Sequence, residues 1–164
     1  MLKLVVNVFF SDNVRYTVLF MVVCSWVLAC SPEKGGKQIS AVPEVEISAA
    51  VMPAMAPGQG VGAIYLSLRN NTADALVINF IESSVSDHIE VHRNFYEEGV
   101  MKMRPVTHVR VEPNGKMLFN PGGYHLMVFN ISQSLGEGDT FPLTIRFDNG
   151  KAVTGTVEVK RIAL

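Results

Sequence analysis

Cysteine is almost missing from this chain. Its 164 residues hold two, Cys24 and Cys30, both near the N-terminus. If Cys24 leaves with an export signal and Cys30 is modified, the remaining domain has no thiol and no disulfide, even in an oxidising compartment. A blue-copper electron carrier needs a cysteine thiolate on its metal, and a thiol-disulfide reductase needs an exchangeable thiol, so both are excluded. Charge is also sparse, with a formal net of -1. Beyond residue 30 there remain 12 basic and 14 acidic residues. No basic patch with interleaved aromatics is present to hold a phosphate backbone, so nucleic acid is not the expected partner. Gly-x-Ser-x-Gly, His-Glu-x-x-His and the phosphate-binding glycine loop are missing too, and the chain reads as a non-enzyme. There are no internal repeats, and no segment carries a sustained helical period.

The apolar run at residues 17–29 is too short for a comfortable membrane span. Arg15 precedes it and a small residue ends it, which is the form of a signal peptide. Val27-Leu28-Ala29-Cys30 resembles a bacterial lipobox, in which Cys30 becomes the lipidated first residue of the mature protein; the alternatives are an ordinary secretory signal or an uncleaved anchor. Ser31-Pro32-Glu33-Lys34-Gly35-Gly36-Lys37 then reads as a flexible tether. The expected division is a signal peptide at 1–29, lipidated Cys30 and tether at 30–42, and one domain at 43–164. This places the domain in the bacterial cell envelope, on the periplasmic side, held to the membrane by a lipid anchor.

Beyond the tether, short alternating runs are separated by turn clusters, the spacing of an all-β sandwich. Expected strands are 44–51, 62–68, 75–81, 88–94, 100–104, 108–111, 116–119, 123–130, 140–147 and 153–161. The breakers between them include Asn70-Asn71, Pro113-Asn114-Gly115, Pro121-Gly122-Gly123 and Asp148-Asn149-Gly150. Residues 131–138 have room for one short helical turn.

The candidate chemistry lies in His92, Met103, His125 and Met127. Two imidazoles and two thioethers, with no thiolate or carboxylate among them, make a soft, neutral donor set suited to Cu(I). Strand alternation points Tyr124, Leu126 and Val128 one way and His125 and Met127 the other. Likewise Ile89 and Val91 take the buried parity and leave His92 on the outer face beside Glu90. A hairpin loop centred on Glu97 and Glu98 would set His92 opposite Met103. A lone strand Met or His is usually cover or core. Two thioethers on the face opposite the apolar one conflict with simple patterning, and such conflicts mark functional sites.

Several neighbours have two readings. Met101 shares the ligand parity and is either an alternate ligand or cover, and Glu90 is either a partner for the second ring N–H of His92 or a solvated carboxylate. Met52 and Met55 lie in a Pro- and Gly-rich stretch, where loop packing outweighs approach to the metal. His88 and His108 read as surface residues.

The spacing His-x10-Met-x21-His-x-Met resembles the signature of the periplasmic copper chaperone family called PCuAC. The phrases Gly99-Val100-Met101-Lys102-Met103-Arg104-Pro105-Val106, Pro121-Gly122-Gly123-Tyr124-His125-Leu126-Met127 and Glu137-Gly138-Asp139-Thr140 are similar to that family as well. The resemblance spans roughly residues 45 to 160. It implies a cupredoxin-like Greek-key β-sandwich that binds Cu(I) through His92, Met103, His125 and Met127. It also implies delivery of copper toward the binuclear centre of cytochrome c oxidase, with an oxidase subunit or a Sco-type assembly factor as the copper-accepting partner. Some members carry a His- and Met-rich C-terminal tail; residues 159–164 here contain neither. The competing expectations are a copper tolerance or storage protein, and a lipid-anchored interaction module whose Met and aromatic surface binds a protein without metal.

Overall fold

The computed structural model describes residues 42–161. The segments expected to be signal peptide and tether, with Cys30, therefore lie outside the described residues but for residue 42. Ten strands follow one another: β1 Val45–Pro53, β2 Gly62–Asn70, β3 Leu76–Ser83, β4 His88–Glu97, β5 Val100–Pro105, β6 Arg110–Val111, β7 Lys116–Phe119, β8 Tyr124–Phe129, β9 Thr140–Phe147 and β10 Ala152–Lys160. They form one hydrogen-bonded strip in the order β5-β4-β8-β7-β2-β1-β10-β9-β3-β6, with β8 also pairing β2. Among the described residues there is no helix, and 131–138 is a loop rather than a helical turn. That loop is fixed by two apolar side chains, Ile131 and Leu135, which are buried in the core.

β1 lets the strip turn over on itself. Its first half pairs antiparallel with β2, from Val45 opposite Asn70 to Ser48 opposite Ser67, and its last residues, Val51 to Pro53, run parallel to Glu158 to Lys160 of β10. Between the halves the register shifts, and Ala49 takes a left-handed φ of 51°. Bulges of this kind bend a strand and re-aim it. Met52 is consequently a fully buried strand residue and not a loop residue, because β1 runs on through Pro53.

The core lies between the two halves of the strip. Met52, Ile64, Leu68, Leu126 and Val128 from one half join Leu143, Ile145, Val157 and Val159 from the other in a single buried cluster. Residues 41–164 are a compact unit with this core of their own. Fully burying one such side chain contributes about 1.5–3 kcal/mol. A one-residue slip of β8 would turn Leu126 and Val128 outward, so the core itself fixes which residues share a face with His125.

Asn70, fully buried, fastens the β2 end to the turn before β7. Its amide donates to the carbonyls of Asp74 (2.7 Å), Glu112 (3.0 Å) and Val111 (3.3 Å), and its oxygen accepts from the Thr72 backbone N–H (3.0 Å) and hydroxyl (2.7 Å). Gly155 serves close packing: a Cβ there would stand 2.7 Å from Ile47 Cγ2.

Candidate metal centre

The candidate ligands meet where β4, β8 and β5 lie side by side. In the β4–β8 ladder His92 faces His125, Glu90 faces Met127 and His88 faces Phe129. All six share one face, the face opposite Val91, Leu126 and Val128. On its other side β8 pairs with β2, where Ala63 opposes Met127 and leaves space beside the thioether.

Met103 arrives through the β4–β5 hairpin, but not in the register expected from the sequence. Glu97 pairs with Val100, so the loop is Glu98-Gly99, with φ of 55° and 78°, and Met103 falls opposite Asn94. Two successive left-handed residues make the tight turn whose twist matches the strands. His92 faces Pro105 instead. A shift of two residues in the pairing preserves the face, so Met103 still reaches the histidines, diagonally. Its Sδ stands 3.1 Å from His125 Nε2.

The outer face is not an open one at this point. His92 is 9% exposed and His125 4%, against the outward position that strand parity alone suggests. The two rings lie 6.1 Å apart, and Phe129 lies 6.1 Å from His92. Met103, by contrast, is 51% exposed and Met101 55%. The centre thus has buried imidazoles and a thioether within reach of solvent. Met127 is half-buried and also lines a cavity of about 530 Å³ with Met55, Tyr65 and residues 59–63. Met55 packs against the core, and His88 and His108 are exposed.

Hydrogen bonds decide where the lone pairs point. His125 Nδ1–H donates to the Gly123 carbonyl at 3.2 Å, which leaves Nε2 as an electron-pair donor facing the Met103 sulfur. Two lone-pair donors held 3.1 Å apart are mutually unsatisfying without a cation. His92 Nε2–H donates to Glu90 Oε2 at 2.8 Å, and its Nδ1 is buried with no hydrogen-bond partner. Native structures leave few such atoms unpaired. Burial lowers the His125 pKa; the Gly123 bond partly offsets this, and the neighbouring His92 lowers it further. Both effects favour the neutral ring that a metal requires. The bonds from His92 and His88 hold Glu90 below the usual carboxylate range, ionised and accepting.

Among the described residues no three His, Cys, Asp or Glu side chains converge on one metal position. The donors that do meet here, the His125 imidazole and the Met103 thioether, are of the kind that suits a soft ion. Sequence reasoning missed two members of the surroundings, His88 and Phe129. The His88, Glu90, His92 alternation, two residues apart on one strand, was the available signal for the first. Phe129 offers none, since it shares the parity of His125, which strand alternation alone points away from the core.

This arrangement of strands has the fold of a PCuAC domain. The copper-bound PCuAC domain of PmoF2 superposes with a TM-score of 0.61 at 18% identity, covering 74% of this chain and 97% of that one. Apo-DR1885 from Deinococcus radiodurans superposes at 0.56 and 19%, covering 82% and 88%. The likeness to PCuAC noted in the sequence thus holds for the fold. The chain belongs to the LpqE-like family, described as "Putative lipoprotein LpqE-like", whose model matches residues 45–159. Two curated relatives are similar to it. "Putative lipoprotein Lxx21020" of Leifsonia xyli is 24% identical over 92% of this chain and 88% of its own, and "Uncharacterized protein RP573" of Rickettsia prowazekii is 30% identical over 59% and 54%.

Proposed function

We propose that this protein carries copper as Cu(I), bound by His92, Met103, His125 and Met127, and passes it on by ligand exchange. The observation that carries the reading is the lone pair of His125 Nε2 set 3.1 Å from the Met103 sulfur, with the unpartnered Nδ1 of His92 buried on the same face. Copper-bound PmoF2 and CuI-DR1885, both similar in fold, support the choice of ion. Exposure of Met103 and Met101 suits transfer, because an incoming ligand can reach the metal while the histidines still hold it. Met101 is a stand-in ligand during exchange and Glu90 an outer partner of His92. The recipient we propose is the binuclear copper centre of cytochrome c oxidase, reached directly through an oxidase subunit or through a Sco-type assembly factor. The role is that of a carrier and not of an enzyme.

The proposed location is the periplasmic side of the envelope. Residues 1–29 would be the signal peptide, Cys30 the lipid anchor, 30–42 the tether and 43–164 the copper domain; the lipoprotein descriptions of the family and of the Leifsonia relative support this. Replacing Cys30 by Ser should release the protein from membranes or block its maturation.

Exposed Tyr96 and Met101, paired with each other on the face that carries Met103, favour a second reading, a surface that docks a protein without metal. The chain from Ser31 onward, titrated against a Cu(I) chelator, separates the two. The carrier reading requires one tightly held Cu(I) per chain and little retention of Zn(II). No Cu(I) retention leaves only the docking module.

A further inference from the structure

His88, Glu90 and His92 follow one another at every second position of β4, so their side chains share the site face. Each Glu90 oxygen is taken by a different ring: Oε1 by His88 Nε2 at 2.9 Å and Oε2 by His92 Nε2 at 2.8 Å. An ionised carboxylate only accepts, so both Nε2 atoms carry hydrogens. His88 is itself held, its ring against Phe129 with centroids 4.9 Å apart and the two residues paired across the ladder. A carboxylate on an exposed strand face is free to swing; this one is anchored from both ends.

We infer that His88 and Glu90 are positioning residues that fix His92 as the Nε2–H tautomer and aim its Nδ1 lone pair into the metal centre. The two histidines then ligate through different nitrogens, His92 through Nδ1 and His125 through Nε2. The ligation half of this rests on the copper reading above, whereas the tautomer half does not. The Nδ1 of His92 is buried and has no hydrogen-bond partner, so it is the ring nitrogen left free for a metal. At His125 the order is reversed, because there the Gly123 carbonyl occupies Nδ1 and leaves Nε2 facing Met103. An outer partner that fixes tautomer and ring orientation is a recurring feature of histidine metal sites. Here the partner is a carboxylate from the same strand, two residues away, with a second histidine behind it.

The test is a long-range proton–nitrogen correlation spectrum of the 15N-labelled chain from Ser31 onward, whose core lies within the described residues. It is recorded without copper and then with one equivalent of Cu(I). Copper-free His92 should show a protonated Nε2 and an unprotonated Nδ1. Cu(I) should move His92 Nδ1 and His125 Nε2. Glu90→Leu should give His92 mixed tautomers and weaken Cu(I) about 10–100-fold, the usual cost of losing an outer partner. Glu90→Gln should keep the single tautomer, since its carbonyl still accepts. Glu90 is surface-accessible, so neither variant removes core packing. A copper-free parent with Nδ1–H or a mixture overturns the inference, as does a Cu(I) shift at His92 Nε2 or an unchanged tautomer in Glu90→Leu. If no Cu(I) binds, the copper reading fails, and the copper-free spectra alone decide the tautomer.

Discussion

Replacing Met103 by Leu removes a sulfur and little else. The side chain is 51% exposed and sits on β5, the strand at the end of the sheet, so it contributes little to the core. A volume-conserving Met to Leu exchange costs under about 1.5 kcal/mol even in a core, and surface substitutions stay within about 0.5 kcal/mol. Folding stability in urea should therefore be nearly unchanged. Copper affinity should not be. Losing an outer partner alone costs about 10–100-fold, and a ligand atom in direct contact should cost at least the upper end of that range, which is about 2.8 kcal/mol at about 1.4 kcal/mol per decade. Met127→Leu should behave likewise, and the double variant should lose nearly all retention against a Cu(I) chelator. Met117→Leu is the control, a thioether on β7 packed against the core. It should leave the affinity alone. Parent-like Cu(I) affinity in Met103→Leu, Met127→Leu and their combination would refute the thioether argument.

Other perturbations probe the frame and the acid response. Asn70→Ala strands the Thr72 N–H and takes one donor each from three carbonyls, of which Asp74 keeps the Thr72 hydroxyl and Glu112 keeps the Gly115 N–H, and should cost about 1–3 kcal/mol in urea unfolding, the range for leaving a buried group unsatisfied; a loss under about 0.5 kcal/mol would deny it a structural role. Gly155→Ala places a methyl 2.7 Å from Ile47 Cγ2 and should destabilise by about 1–3 kcal/mol, with a lower midpoint and unchanged m-value. His125 has its folded pKa below its unfolded value, so on acidification the unfolded chain takes up a proton first. The copper-free domain should lose stability as pH falls below about 6.5, the unfolded histidine value, and His125→Leu should flatten that slope. Cu(I) affinity should also weaken below about pH 6, because protons compete for imidazole but not for thioether, and a His92→Ala, His125→Ala double variant should bind weakly with little pH dependence left. Equal acid sensitivity in that double variant would move the metal elsewhere.

Strands bounded by strong turn chemistry were legible to the residue. Lys116–Phe119 follows Pro113-Asn114-Gly115, and Thr140–Phe147 ends at Asp148-Asn149-Gly150, and both match their expected bounds. The ligand face of β8 was legible as well, because Leu126 and Val128 could be satisfied only in the core. The β4–β5 register was not. Glu97-Glu98 and Glu98-Gly99 are both plausible loop centres, and choosing between them depends on which residues accept left-handed angles, not on the hydrophobic pattern. The choice changes the partner of His92 from Met103 to Pro105 yet keeps Met103 on the same face. Burial of His92 and His125 was invisible because their cover, Phe129 and Met103, comes from different strands. Met52 was misplaced for a related reason. Pro53 suggested a loop, but a proline at the end of a strand ends the pairing without expelling its neighbour from the core. Asn70 looked like a turn residue and proved to be a buried hub, since its partners at 111 and 112 are supplied by the tertiary fold.

X-ray absorption at the copper edge of the Cu(I)-loaded domain counts the atoms around the metal and so decides whether the thioethers hold it. The parent should show two sulfur and two nitrogen neighbours, with the sulfur shell reduced in Met103→Leu and lost when Met101, Met103 and Met127 are all replaced by Leu. A shell of nitrogen and oxygen alone in the parent, or a sulfur shell that survives the triple variant, would contradict binding by these thioethers.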